Sequence, residues 1–196
     1  MIIPAINATI ALTRGPPGAL ILSNKEEIAR KISETTFPFL VATPYCNKFA
    51  SLAVTLAELL KHADNFAEQI VSNAKTLGEA LYSEGIDVLC RDKGYTESHM
   101  LMMDIREYGS GEDVERELAE AHIISNKMPL PGDRWDQKSG IRIGVNEVTR
   151  RGMKAPEMQQ IASIIGDILV EDKSPADVAD DVISLMSGFQ EVKYTL

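Results

Sequence analysis

Residues 139–144 read Ser139-Gly140-Ile141-Arg142-Ile143-Gly144, and Val148-Thr149-Arg150-Arg151-Gly152 follows a few residues on. The short alternating run, bracketed by glycines, predicts a β-strand. On such a strand Ile141 and Ile143 point to one face and Arg142 to the other. A guanidinium fixed on a short strand can grip a carboxylate through two parallel hydrogen bonds. An edge-strand arginine facing water carries the same local pattern, and the run alone leaves both open.

Working outward, strands and helices alternate along the chain. Residues 18–23 read as a short buried strand. Asn24 is placed to cap a helix over 25–33, with Glu26 and Glu27 in its first turn. Phe37-Pro38 marks a turn. From about residue 47 the pattern is helical to Glu84, with Gly85 as the stop. Leu52, Leu56, Leu59, Leu60, Phe66, Ile70, Leu77 and Leu81 keep helical spacing along it, and His62–Asn65 is expected to bend. A soft domain boundary is placed near residue 65. Residues 86–90 and 98–105 read as strands, the second containing Met100, Met102 and Met103 as packing residues. Ser110 with Asp113 resembles a capping box for a helix through Ala121. A strand over 122–125 and the loop Pro129-Leu130-Pro131-Gly132 lead into the arginine strand. Met158, Ile161, Ile165 and Leu169 define an amphipathic helix. Pro175, at the first helical position after Ser174, opens the last one.

Composition narrows the function classes. The 196 residues are 44% hydrophobic and 25% charged, as in ordinary soluble globular domains. A net charge of −9 argues against nucleic acid as a partner. No run approaches the roughly 18 apolar residues of a membrane span. Cys46 and Cys90 match no metal spacing and read as two reduced thiols, which implies a cytoplasmic protein. His62, His99 and His122 are scattered, so no metal site is expected. Asp104, Glu107, Glu112, Asp113 and Glu115 read as a solvated face rather than a catalytic pair. Arg150 and Arg151 are expected to pair with Glu147 and Glu157, or to hold a phosphate or an acidic tail. Trp135 lies in a polar loop, where it folds over a neighbour or marks a partner surface.

This order of elements, with the arginine motif, resembles the C-terminal half of serine hydroxymethyltransferases, which are fold-type-I enzymes that use pyridoxal phosphate. The resemblance runs from about Leu12 to Val170. It rests on Ser139-Gly140-Ile141-Arg142-Ile143-Gly144 with Val148-Thr149-Arg150-Arg151-Gly152, supported by Arg14-Gly15-Pro16-Pro17-Gly18, Phe37-Pro38, Asn73-Ala74-Lys75, Glu97-Ser98-His99 with Asp104, and Ile124-Ser125-Asn126-Lys127. The stretch from Phe37 to Leu59 looks archaeal. The resemblance implies serine–glycine interconversion with one-carbon transfer to a pterin carrier, and it implies that Arg142 binds the substrate carboxylate.

The departures fall on the chemistry. The position matching the family's Schiff-base lysine is Ala11, and no lysine precedes Lys25. The matching histidine position is Ile10, and Pro17 stands where an arginine is expected. Phe39 replaces a glycine of the phosphate loop, and Met128 replaces an asparagine near the one-carbon carrier. Family chains are also roughly twice this length. The fold expected is α/β with an α+β C-terminal domain: a partial fold-type-I transferase with a small helix-covered sheet and a long helical bridge. Residues 1–65 would be a remnant of the large cofactor-binding domain and the bridge, and residues 66–196 the small domain. The function expected is that of a hydroxymethyltransferase-like protein, not catalytic as this chain alone. It would act as one half of a split enzyme or as a non-catalytic dimerising or regulatory relative. Partners would be a second copy or a complementary N-terminal-half chain, with an amino acid as ligand. No catalytic residue is assigned, cofactor-binding residues are unknown, and pyridoxal phosphate belongs to the family rather than to this chain by itself.

Overall fold

The structure is a computed structural model that describes residues 2–6, 20–43, 45–134 and 136–196. Ala11, the segment from Arg14 to Gly18 and Trp135 therefore lie outside the described residues. The chain divides into two compact units, residues 1–63 with Leu196 and residues 64–195.

In the first unit, β1 (Ile2–Ile6) pairs antiparallel with β2 (Leu20–Ser23). Helix α1 (Glu26–Glu34) places Glu26 and Glu27 in its first turn, where the helix dipole favours them. Its N-terminal boundary residue is Lys25 rather than Asn24, and the Lys25 side chain makes no cap hydrogen bond. The Lys25 amide donates to Ser23 Oγ at 3.2 Å, a local turn just before the helix. A π-helical turn, Thr35–Leu40, follows and is broken by extended backbone at Phe37, where the sequence places a turn. Phe37, Phe39, Leu40, Tyr45 and Phe49 are all exposed.

Helix α2 runs from Cys46 to Ser83 and stays helical through His62–Asn65, where the sequence reading places a bend. No Pro or Gly lies between those residues to interrupt the hydrogen-bond ladder. The division between the units falls within this helix. Of its earlier apolar positions, Leu56 and Leu60 are exposed, Leu60 at 92%, so the helical spacing there does not mark a core stripe. From residue 66 onward it does: Phe66, Ile70, Ala74, Leu77 and Leu81 are buried on one face. Gly85 (φ +95°) ends the helix. Its amide donates to the Tyr82 carbonyl and that of Ile86 to the Leu81 carbonyl, and Leu81 and Ile86 are both fully buried. This is a Schellman stop with its hydrophobic contact.

Residues 86–90 form one bridge, Val88 to Met103, instead of the expected strand. The ladder ends because Cys90 turns into the left-handed region (φ +63°), and its carbonyl accepts from both Lys93 and Tyr95. β3 (Met100–Asp104), β4 (Asn126–Met128) and β5 (Gly140–Gly144) form an antiparallel sheet in the order β3-β5-β4. Leu101, Met103, Ile141 and Ile143 face inward and are buried. Helices α3 (Gly111–Glu120) and α5 (Ala155–Leu169) complete this core with Val114, Leu118, Met158, Ala162 and Ile165. Between them, α4 (Asn146–Arg150) is a single short turn, and α6 (Pro175–Ser187) opens on its proline as expected.

The expected strand at 122–125 is instead a helix stop. His122 adopts φ +64°, its amide reaches the Ala119 carbonyl, and the Ile123 amide reaches Leu118. A histidine here does what glycine usually does, so pairing starts only at Asn126. The cap of α3 matches the sequence reading: Ser110 Oγ accepts from the Asp113 amide at 3.2 Å and donates to Asp113 Oδ2 at 2.6 Å. Both cysteines are free and exposed.

Candidate functional site

β5 carries Arg142 outward between buried Ile141 and Ile143. Its neighbours across the sheet are Met102 on β3 and Asn126 on β4. Because side chains alternate, Gly140 and Gly144 share the face of Arg142. No side chain therefore crowds the guanidinium along its own strand. The space beside each glycine is lined from elsewhere. A methyl group at Gly140 would meet Leu130 Cδ2 at 2.5 Å and Met102 Sδ at 3.2 Å. One at Gly144 would lie 3.6 Å from His99 Cδ2. The site is a glycine-floored patch with Arg142 at its centre, His99 at one end and a Leu130–Met102 wall at the other.

Met102 and Met100 thus lie on the open face, Met100 at 40% exposure, and only Met103 is core. Of the three read from sequence as packing residues, Met103 is core, Met102 packs beside Leu130 on the open face, and Met100 is exposed. The alternation of the strand divides them between faces.

The Arg142 side chain forms no hydrogen bond or ion pair among the described residues. The acid on the same face, Asp104, sits opposite Gly140 and is taken by Arg106 at 2.7 Å. Arg106 also reaches Asp133 at 3.2 Å. Arg142 is therefore left available for an external carboxylate.

His99 is held by the loop before β3, and its carbonyl accepts from the Val145 amide at 3.1 Å. That loop leans on α2 through Tyr95, whose ring covers Gly78 so closely that a Cβ there would lie 2.8 Å from Cγ. Burial, and after it the positive charge of Arg142, hold the His99 ring below its usual value of 6.5. Protonation would charge a half-buried ring beside a cation, so the folded state takes up this proton less readily than the unfolded chain. The stability penalty is present below the folded midpoint and gone above 6.5. An NMR titration of the ring should give a midpoint below 6.5, and Arg142→Ala should raise it only part of the way, since burial persists. A midpoint indifferent to Arg142→Ala would mean the two groups do not interact.

Several other sequence candidates make structural contacts. Glu115 accepts from the Lys127 amide at 3.0 Å and lies 2.9 Å from its ammonium. Asp113 pairs with Arg116. Arg151 pairs with Glu147 at 3.0 Å as expected, whereas Glu157 accepts from the Lys154 amide at 2.7 Å at the start of α5. Among the described residues no group of His, Cys, Asp or Glu could hold a metal ion, and no helix is long and apolar enough to cross a membrane. The sequence reading missed Leu130 and Asp133. The Pro/Gly-rich loop that holds them signals only a turn.

The architecture is that of fold-type-I pyridoxal-phosphate enzymes. The solved structure of an L-threonine transaldolase from Pseudomonas fluorescens in its internal aldimine state superimposes with a TM-score of 0.80 at 28% identity, covering 88% of this chain and 40% of that one. A family model for serine hydroxymethyltransferase matches residues 6–165. The serine hydroxymethyltransferase of Methanopyrus kandleri is 42% identical over 186 residues, covering 92% of this chain and 42% of the relative. That of Archaeoglobus fulgidus is 42% identical over 184 residues, with the same coverage. The chain belongs to the serine hydroxymethyltransferase family. It spans less than half the length of these relatives and corresponds to their C-terminal part. Pyridoxal phosphate is the cofactor of the family.

Proposed function

We propose that this chain supplies the amino-acid carboxylate grip of a serine hydroxymethyltransferase-type reaction, serine–glycine interconversion with transfer of a one-carbon unit to a pterin carrier, and that it does not catalyse this reaction alone. The supporting observation is Arg142, exposed and without an ion-pair partner among the described residues, on a patch floored by Gly140 and Gly144. A planar guanidinium there can take both oxygens of an α-carboxylate. Neutral His99 beside it offers a hydrogen-bonding ring without competing for the anion.

The residues at the matched positions do not fit the cofactor. Alanine at position 11 has no amine to form an imine. Phe39, at 83% exposure, puts a phenyl ring where a glycine would let backbone approach a phosphate. No step through the cofactor is therefore assigned to this chain. Covalent chemistry belongs to a polypeptide segment that carries a lysine. In this reading residues 1–65 correspond to the large-domain remnant and bridge, and residues 66–196 to the small domain. The protein is cytoplasmic, in keeping with its two free exposed thiols.

A second reading, a non-catalytic dimerising relative, is favoured by the same losses at Ala11, Pro17 and Phe39. Affinity purification from the producing cells separates the two. The first expects a stoichiometric polypeptide that holds pyridoxal phosphate on a lysine. Recovery as a cofactor-free homodimer would select the second.

A further inference from the structure

We infer that Asp133 is a positioning residue for the Arg142 patch: it locks the loop between β4 and β5 so that Leu130 covers Gly140 and walls the site. The inference rests on reading Arg142 as a carboxylate grip. The described residues of 129–139 contain no helix or strand, yet both ends of the loop converge on one carboxylate. Asp133 Oδ2 accepts from the Leu130 amide at 2.7 Å and the Ser139 amide at 3.1 Å. Oδ1 accepts from Ser139 Oγ at 3.1 Å and Arg106 Nη2 at 3.2 Å. The side chain is 4% exposed.

Four donors on two oxygens explain why this carboxyl is held down to about 2, the backbone amide of Leu130 contributing most. It is an anion at any working pH. Arg106 continues the chain of contacts to Asp104 at 2.7 Å, on β3 opposite Gly140. The contacts Asp104–Arg106–Asp133–Ser139 therefore close a ring around Gly140, two residues from Arg142. The ring holds Leu130, 5% exposed, in the space that a side chain at 140 would otherwise occupy.

The consequence for binding is physical. A guanidinium–carboxylate pair strengthens as water is excluded from its surroundings. With Asp133 in place, one flank of Arg142 is a packed apolar wall of Leu130 and Met102. Without it, the loop lifts, water enters over Gly140, and the pair is screened.

The test uses the full chain with two ligand-free and ligand-bound readouts: amide hydrogen exchange over 129–142, and the Arg142 Nε–H signal during titration with L-serine. Asp133→Asn keeps the size and removes the charge. It should speed exchange of the Leu130 and Ser139 amides and weaken serine binding, each by about tenfold. Val178→Ala serves as a control that destabilises buried α6 packing away from the loop; it should change neither. Should Asp133→Asn not fold, Ser139→Ala removes one donor to the Asp133 carboxylate and should move both readouts the same way by less.

Unchanged exchange at Leu130 and Ser139, serine affinity retained in Asp133→Asn, or an equal loss in Val178→Ala would each overturn the assignment. A wild-type chain whose Arg142 signal ignores serine would contradict the carboxylate grip instead. The exchange data would then still decide whether Asp133 locks the loop.

Discussion

Replacing Arg142 by alanine should weaken L-serine and glycine binding by about 100-fold in the assembled protein, at a stability cost within about 0.5 kcal/mol. The size is the lower end of what two charge-assisted hydrogen bonds, each worth about 1.5–3 kcal/mol, supply when lost together from a partly desolvated site. The small stability change follows from exposure: the side chain supports no ion pair among the described residues and packs into no core. Arg142→Lys should recover only part of the affinity, because an ammonium cannot offer two parallel donors to one carboxylate. Calorimetry of both variants checks this. Serine affinity unchanged in Arg142→Ala would remove the basis of the functional assignment.

The largest stability effect is expected at Asn73. This side chain is fully buried on α2. Its Nδ2 donates to Thr149 Oγ1 and to the Met153 carbonyl, both at 2.9 Å, and its Oδ1 accepts from Gln69 at 2.8 Å. Thr149 Oγ1 in turn donates to the Val145 carbonyl at 2.7 Å. Asn73 thus fastens α2 to the segment that leaves the arginine strand. Asn73→Ala strands a buried carbonyl and opens a small void, which should cost about 2–4 kcal/mol. In a chain of this length each kcal/mol lowers the melting temperature by about 2–4 °C. Asn73→Asp should be no better, since a carboxylate has no N–H for Met153. Urea unfolding decides; a loss below about 0.5 kcal/mol would mean the network is not what holds α4.

The arginine strand was legible because its information is local. Period-two alternation and two glycines place Arg142 outward on an uncrowded face without any knowledge of the rest. The stop at Gly85, the Ser110 cap and the Pro175 start are legible for the same reason. What was not legible depends on distant or unusual partners. His122 in a left-handed conformation looks, in sequence, like part of an Ile-rich strand. The division of Met100, Met102 and Met103 between faces follows from where pairing begins, which adjacent residues do not reveal. Asp133 collects donors from Leu130, Ser139 and Arg106, and an aspartate in a Pro/Gly-rich loop gives no sign of that. The run from Leu52 to Leu60 keeps helical spacing yet includes exposed Leu56 and Leu60, so periodicity there reports helix and not core.

If this chain holds the amino-acid carboxylate and leaves cofactor capture to another segment, it should not capture pyridoxal phosphate by itself. The most direct measurement is a pyridoxal phosphate titration of the purified chain, followed by borohydride reduction and intact mass. No saturable binding and no specific adduct are expected, because the position matching the family lysine is Ala11. A single stoichiometric adduct mapped to one lysine would contradict it, and would make this chain a catalyst with a relocated Schiff base.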